Sequence, residues 1–196
     1  MIHPHTYIHP NARLATNVKV DPFTVIHQDG EIGEGTWIGS NVTIMEGAYI
    51  GKNCRVFPGA VIAAIPQDMK FQGEYSTVCI GDNTTIREYV TVNRGTRVRE
   101  KTVIGKNCLF AAQVGIAGVV NIEDDVILWG QVGVQKDLTI GKGAVVLGQS
   151  GIPKSLEGGK TYFGSPTQEA REKMKELAMV KQLPELLEKL KKSTTK

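Results

Sequence analysis

Apolar residues recur at every sixth position along most of the chain. Ile2, Ile8, Leu14, Val20, Ile26, Ile32, Ile38, Ile44, Ile50, Val56 and Ile62 open the series. It resumes at Ile80 and runs through Ile86, Val92, Val98, Ile104, Phe110, Ile116, Ile122, Leu128, Val134, Ile140 and Val146 to Ile152. Only Asp68 and Glu74 break the phase. Neither the 3.6-residue helix nor the two-residue strand generates this period. A chain that turns a corner every six residues does, winding into a triangular prism with about 18 residues per coil. Four residues after each station stands a small or β-branched residue, as at Ala12, Val18, Thr24, Thr36, Val42, Ala48, Cys54, Ala60, Thr84, Val90, Cys108 and Val114. The predicted fold class is therefore all-β, a hexapeptide solenoid in which each side sends one large and one small residue inward. Glycines follow the large residue at Gly33, Gly39, Gly51, Gly81, Gly105 and Gly141, where they are expected to supply the positive φ of a tight corner.

The pattern divides the chain. Residues 1–152 are predicted to form the solenoid. A loop insertion over residues 63–79, where the period loses its apolar stations, is expected to project from one side. A second, smaller protrusion is expected around Thr96 to Thr102, where Arg97, Arg99, Glu100 and Lys101 crowd together. Residues 153–196 form a closing segment. Thr167 is expected to cap a helix carrying Ala170, Met174, Leu177 and Ala178, and Pro184 to begin a second helix with Leu186, Leu187 and Leu190 on one face. These helices are expected to cover the open backbone of the last coil. The closed symmetric assembly for such prisms is a homotrimer with sites in the clefts between subunits.

Composition narrows the function. A chain of 196 residues with a net charge of +3 and no interleaving of basic and aromatic residues does not point to nucleic acid. No apolar run reaches the length of a membrane span and no leader pattern is visible, so a cytoplasmic location is expected. Cys54 and Cys108 fall at small inward stations and Cys79 at a coil entry. No cysteine pair has metal-ligand spacing, so neither disulfide nor metal is expected. His3 and His5 read as ordinary residues of the first coil. Lys181, Lys189, Lys191, Lys192 and Lys196 gather near the C-terminus, either as a solvated helix face or as a docking surface for an acidic partner.

Two stretches carry a resemblance. Gln67-Asp68-Met69-Lys70-Phe71, with Gly73-Glu74, precedes Ile80-Gly81-Asp82, Ile86-Arg87-Glu88 and Val90-Thr91-Val92-Asn93-Arg94-Gly95-Thr96. Their order and spacing resemble the acyl-carrier-protein-dependent UDP-N-acetylglucosamine O-acyltransferases of lipid A synthesis. The C-terminal Tyr162-Phe163-Gly164-Ser165-Pro166 and the run from Leu183 to Lys192 look more like the sister N-acyltransferases acting on UDP-3-O-acyl-glucosamine. The resemblance implies a left-handed parallel β-helix, a homotrimer, an acyl carrier protein or coenzyme A thioester as donor, a UDP-amino-sugar as acceptor, and no cofactor. It places Gln67, Asp68, Lys70, Arg94 and Gln135 at substrate-binding positions. The departure lies in the catalytic histidines. The family's Ile-Ala-His reads Ile116-Ala117-Gly118 here, a second histidine position is Gly115 and a third falls at Gln135, while Asn93 replaces the histidine before Arg94. His27 lies several coils below. Three readings follow: an acyltransferase relying on another group, with Gln113, Gln131, Gln135, Asp124, Asp125 and Asp137 near the required height; a catalytically silent homologue that binds sugar nucleotide or carrier protein; or transfer to a differently shaped acceptor, with the glycines opening room. Asp124 and Asp125 read more simply as corner residues.

Overall fold

A computed structural model describes residues 1–97 and 100–194 of the chain. Val98 of the six-residue series, Arg99 of the expected second protrusion, and Thr195 and Lys196 lie outside the described residues. The six-residue period builds three parallel sheets of eight, seven and nine strands among the described residues. Face one begins at Tyr7–Ile8, face two at Arg13–Leu14 and face three at Lys19–Val20. Each residue pairs with the one a full coil later: Ile8 with Ile26, Ile26 with Ile44, Ile38 with Val56. The apolar stations stack inside the prism, and Ile26, Ile44, Ile62, Ile86, Phe110, Leu128 and Val146 are fully buried.

The small inward stations satisfy a second demand. Buried hydroxyls and thiols need acceptors, and the corner carbonyls supply them. Thr24 Oγ1 donates to Gly39 O at 2.7 Å, Thr36 Oγ1 to Gly51 O at 2.8 Å and Thr84 Oγ1 to Gly105 O at 2.9 Å. The Cys54 and Cys108 thiols reach Gly81 O at 3.2 Å and Glu123 O at 3.3 Å. Burial pushes both thiols up, Cys108 to about 11, so neither is a ready nucleophile.

The corners correct the expectation for glycine. Positive φ falls two residues later than expected, at Gly35, Asn41, Asn53, Asn83, Asn107 and Gly143, where glycine and asparagine tolerate the left-handed region. The preceding glycines serve close approach instead. A Cβ on Gly33 would sit 2.6 Å from the Gly51 carbonyl carbon, and one on Gly81 equally close to that of Gly105. Successive coils therefore touch backbone to backbone along this edge.

The insertion leaves the winding after Val61–Ala64 and rejoins it at Thr77–Ile80, so both ends of the expected 63–79 segment are strand. Winding also continues past Ile152. Leu156 bridges Ile140, and Thr161–Phe163 adds a parallel strand to Val145–Val146. Gln168–Glu169 then folds back antiparallel on Tyr162–Phe163. This hairpin caps face three, where helices were expected. A single helix, α1 (Ala170–Thr194), follows with Pro184 inside it. One proline removes one helical hydrogen bond, and α1 continues through the loss. Thr167 is buried and its amide donates to Gly151 O at 3.0 Å; Glu169 Oε1, at 3.2 Å from the Arg171 amide, serves the helix start instead. Met174, Leu177, Leu183, Leu187 and Leu190 remain exposed, so α1 extends from the prism rather than lying over its end. No helix among the described residues is long and apolar enough to cross a membrane.

Backbone contact at the glycine edge predicts that Gly81→Ala will lower the unfolding free energy by about 3 kcal/mol. Asn83→Gly, at the true left-handed corner, should cost less, about 1 kcal/mol, through loss of the bond from Asn83 Nδ2 to Asn107 Oδ1 at 3.2 Å. Denaturant titration of both variants checks this. Equal effects would return the positive-φ role to Gly81.

Candidate functional site

On face one the outward position near the corner is occupied in successive coils by Thr91, Gly115, Gly133 and Gly151, which pair in register. The other outward position carries Asn93, Ala117, Gln135 and Pro153. The result is a shallow strip with polar groups down one side. A cavity of about 510 Å³ lies over it, lined by Gln67, Thr91, Asn93, Gly115, Gly133 and Gln135 among others. A second, of about 690 Å³, adjoins it beneath the 65–76 loop and adds Asp68, Met69, Lys70, Gly118 and Lys136. Four of the five sequence-predicted binding residues, Gln67, Asp68, Lys70 and Gln135, therefore meet at one place.

The loop reaches this place because it is tied down at both ends. Asp68 Oδ2 accepts from Lys136 Nζ at 2.8 Å, while Asp68 Oδ1 accepts the Lys70 amide at 3.0 Å. The Lys136 hydrogen bond, helped by the amide, holds the Asp68 carboxyl below the usual carboxylate range, and Lys136 is raised in turn. At the far end Ser76 Oγ donates to Gly95 O at 2.6 Å. Tyr75 and Tyr49 share a hydroxyl contact at 3.2 Å, and the Tyr49 hydrogen bond pushes Tyr75 up to about 12.

Arg94 is placed elsewhere. It is 3% exposed and lines neither cavity. Its Nη2 donates to Glu46 Oε1 at 2.8 Å, and Phe71 of the loop packs 5.7 Å over the guanidinium. Arg94, with Gln28, holds Glu46 below its ordinary value. Nε and Nη1 of Arg94 find no partner among the described residues. Arg94 thus braces the loop from below.

The two glycines that the resemblance sets against histidines are not alike. Among the described residues a Cβ on Gly115 would meet only Thr91 Oγ1, at 3.7 Å, and one on Gly133 would meet nothing within 4 Å. A Cβ on Gly118 would overlap the Arg94 carbonyl oxygen. Gly118 is therefore a close-packing residue and opens no room; Gly115 does. Asp124 and Asp125 sit at corners as read, Asp124 Oδ1 accepting the Lys106 amide at 2.8 Å and Asp125 Oδ1 accepting from Asn107 Nδ2 at 3.1 Å. Asp137 lines a polar hollow with Asp68, Lys70 and Lys136. His3 and His5 stack edge to face at 5.3 Å, and no cluster of three or more potential metal ligands occurs among the described residues.

Sequence reading missed Lys136, which lies 68 residues from Asp68 along the chain, so their contact leaves no local trace. It also missed a repeat that was visible: Gln113-Val114-Gly115-Ile116, Gln131-Val132-Gly133-Val134 and Gln149-Ser150-Gly151-Ile152. These glutamines form a ladder, Gln131 Nε2 donating to Gln113 Oε1 at 2.8 Å and Gln149 Nε2 to Gln131 Oε1 at 3.0 Å.

Comparison with known proteins places this arrangement. Residues 29–64 match the bacterial transferase hexapeptide (six repeats) family model. The acyl-[acyl-carrier-protein]–UDP-N-acetylglucosamine O-acyltransferase of Saccharophagus degradans is 38% identical over 116 residues, 59% of this chain and 45% of that protein. The Bartonella henselae enzyme of the same name is 36% identical over 126 residues, covering 64% of this chain and 46% of that protein. The chain thus spans less than half the length of these relatives. The solved UDP-N-acetylglucosamine acyltransferase of Bacteroides fragilis is 34% identical with a TM-score of 0.73, covering 87% of this chain and 74% of that one. That from Moraxella catarrhalis gives 29% and 0.78 over 86% of this chain and 73% of that one. With its left-handed parallel β-helix, its loop over face one and these relatives, the chain belongs to the UDP-N-acetylglucosamine acyltransferase family of hexapeptide-repeat proteins.

Proposed function

We propose that this chain transfers a 3-hydroxyacyl group from an acyl carrier protein or coenzyme A thioester to a UDP-amino-sugar, in lipid A-type synthesis, as a cytoplasmic homotrimer. The observation that carries the reading is the pair of adjoining cavities that gathers Gln67, Asp68, Lys70 and Gln135 beside an open strip. The strip suits an extended apolar chain, because Gly115 and Gly133 leave its floor free of side chains. The polar side, with the Lys70 and Lys136 ammonium groups, suits a sugar and its phosphates. In the reaction the acceptor oxygen or nitrogen bonds to the acyl carbon, the carbon–sulfur bond breaks, and the thiol leaves with the acceptor's proton.

No imidazole lines either cavity, and Asp68, bound by Lys136, is a weak base. A general base typically contributes about 10² to 10⁴ in rate, so this chain relies on positioning. A neutral amine acceptor attacks through its lone pair and sheds its proton only from the cationic adduct, which lessens the need for a base. The same observation favours a second reading, a catalytically silent homologue that binds sugar nucleotide or carrier protein.

Incubation with 3-hydroxyacyl carrier protein and either UDP-N-acetylglucosamine or a UDP-3-acyl-glucosamine, followed by mass spectrometry, is expected to show one acyl chain added to the second. Sugar-nucleotide binding without product would establish the silent homologue, and neither would sink both readings. Gly115→His is expected to keep the native melting temperature within a few degrees, since its Cβ meets only Thr91. Gly118→His is expected to lose about 3 kcal/mol or more against the Arg94 backbone; thermal melts of the two variants decide. Sedimentation equilibrium is expected to give about three times the 21.3 kDa chain mass, and a monomer would remove the cleft between subunits from the proposal.

A further inference from the structure

The left-handed corners of the prism differ from edge to edge, and between faces one and two they are Asp29, Gly47, Ala63, Val119 and Asp137. Between faces two and three they are Asn17, Gly35, Asn53, Asn83, Asn107, Asp125 and Gly143, residues that accept this conformation at little cost. Between faces three and one, three successive coils use Gln113, Gln131 and Gln149, with φ of 63°, 62° and 60°. The same edge also takes Phe23, Asn41, Gly59 and Tyr89 in this conformation, so the corner itself does not select glutamine. Strain of this kind persists where another requirement selects it.

What the extra methylene provides is reach. The three amides join into one ladder, with bonds of 2.8 and 3.0 Å. A primary amide has two N–H donors and an oxygen with two lone pairs. After its two ladder bonds, Gln131 keeps one N–H and one lone pair; Gln113 keeps both N–H groups. Each glutamine stands two residues before Gly115, Gly133 or Gly151 of the cavity wall. The ladder therefore runs along the corner that leads into the wall of the 510 Å³ cavity, two residues from its glycines in each coil.

We propose that Gln113, Gln131 and Gln149 form an amide rail that binds the amide-bearing arm of the acyl thioester donor beside the cavity that takes its acyl chain. The inference rests on the acyltransferase reading above. Carrier protein and coenzyme A thioesters share a pantetheine arm, with two secondary amides separated by two methylenes. Nitrogen to nitrogen across those four bonds is roughly 5 Å when extended. The rail repeats once per coil, about 4.8 Å. At each step it offers donor and acceptor, the complement of the one N–H and one C=O of a secondary amide. The rail is uncharged, so it suits the arm and not a phosphate.

The test is binding of a 3-hydroxyacyl pantetheine thioester and of the same acyl group on ethanethiol, which lacks both amides, measured by calorimetry on the full chain. The native protein is expected to prefer the pantetheine thioester by about tenfold or more. The triple variant Gln113→Asn, Gln131→Asn, Gln149→Asn is expected to bind both alike. Its melting temperature should be unchanged or higher, because asparagine suits these corners better. Gln131→Asn alone, which removes a partner from both ladder bonds, carries the same prediction in weaker form should the triple variant fold poorly. A preference that survives either change in a folded variant overturns the rail. Equal native affinity for both thioesters also overturns it while leaving the acyl site standing. Native binding of neither thioester overturns rail and donor reading together.

Discussion

Backbone hydrogen bonding between successive coils is the constraint from which the remaining features descend. Gly33 N–H to Ile50 O, Gly51 N–H to Ile80 O and Gly81 N–H to Ile104 O, each 2.8 Å, tie every coil to the next. At that spacing, residues one coil apart are stacked, so every position becomes part of a column. Inside, large residues stack on large and small on small. At the glycine edge the backbones touch, and no Cβ fits. Where the 65–76 loop interrupts the winding the register recovers at once: Val61 pairs with Thr91, although an uninterrupted coil would have paired it with Cys79.

Columns also make a site possible on a fold built from very short strands. A single outward glycine is a local gap, whereas Gly115, Gly133 and Gly151 in register become a strip. A single glutamine corner is a strained residue, whereas three in register become a ladder of hydrogen bonds. The loop completes the place by crossing over it. Its position depends on Asp68 meeting Lys136 on top and on Arg94 and Glu46 bracing it beneath. Neighbours in sequence therefore part company: Asn93 lines the cavity, and Arg94 turns away from it to Glu46.

Gly115 and Gly118 differ in what surrounds them. Gly118 presses on the Arg94 backbone and has no space for a side chain, so the polypeptide around it has closed over the position. Gly115 remains open to the cavity. A base at position 118 thus requires movement of the Arg94–Gly95 backbone, while position 115 asks for nothing.

Winding, core columns, insertion and cysteine placement were legible from the six-residue period, because each depends on residues inside one repeat and repeats itself along the chain. Gln67, Asp68, Lys70 and Gln135 were legible through motif order and do converge. Three features were not. The roles of Gly33 and Gly81 depend on the backbone of the next coil, which the sequence places only by register. The course of α1 through Pro184 and the cap formed by Gln168–Glu169 depend on how the last strand leaves the prism. The Asp68–Lys136 and Arg94–Glu46 contacts join residues far apart in the chain, and only the stacked coils bring them within hydrogen-bonding distance. Periodic burial is encoded locally; which polar groups face one another across coils is decided by the assembled prism.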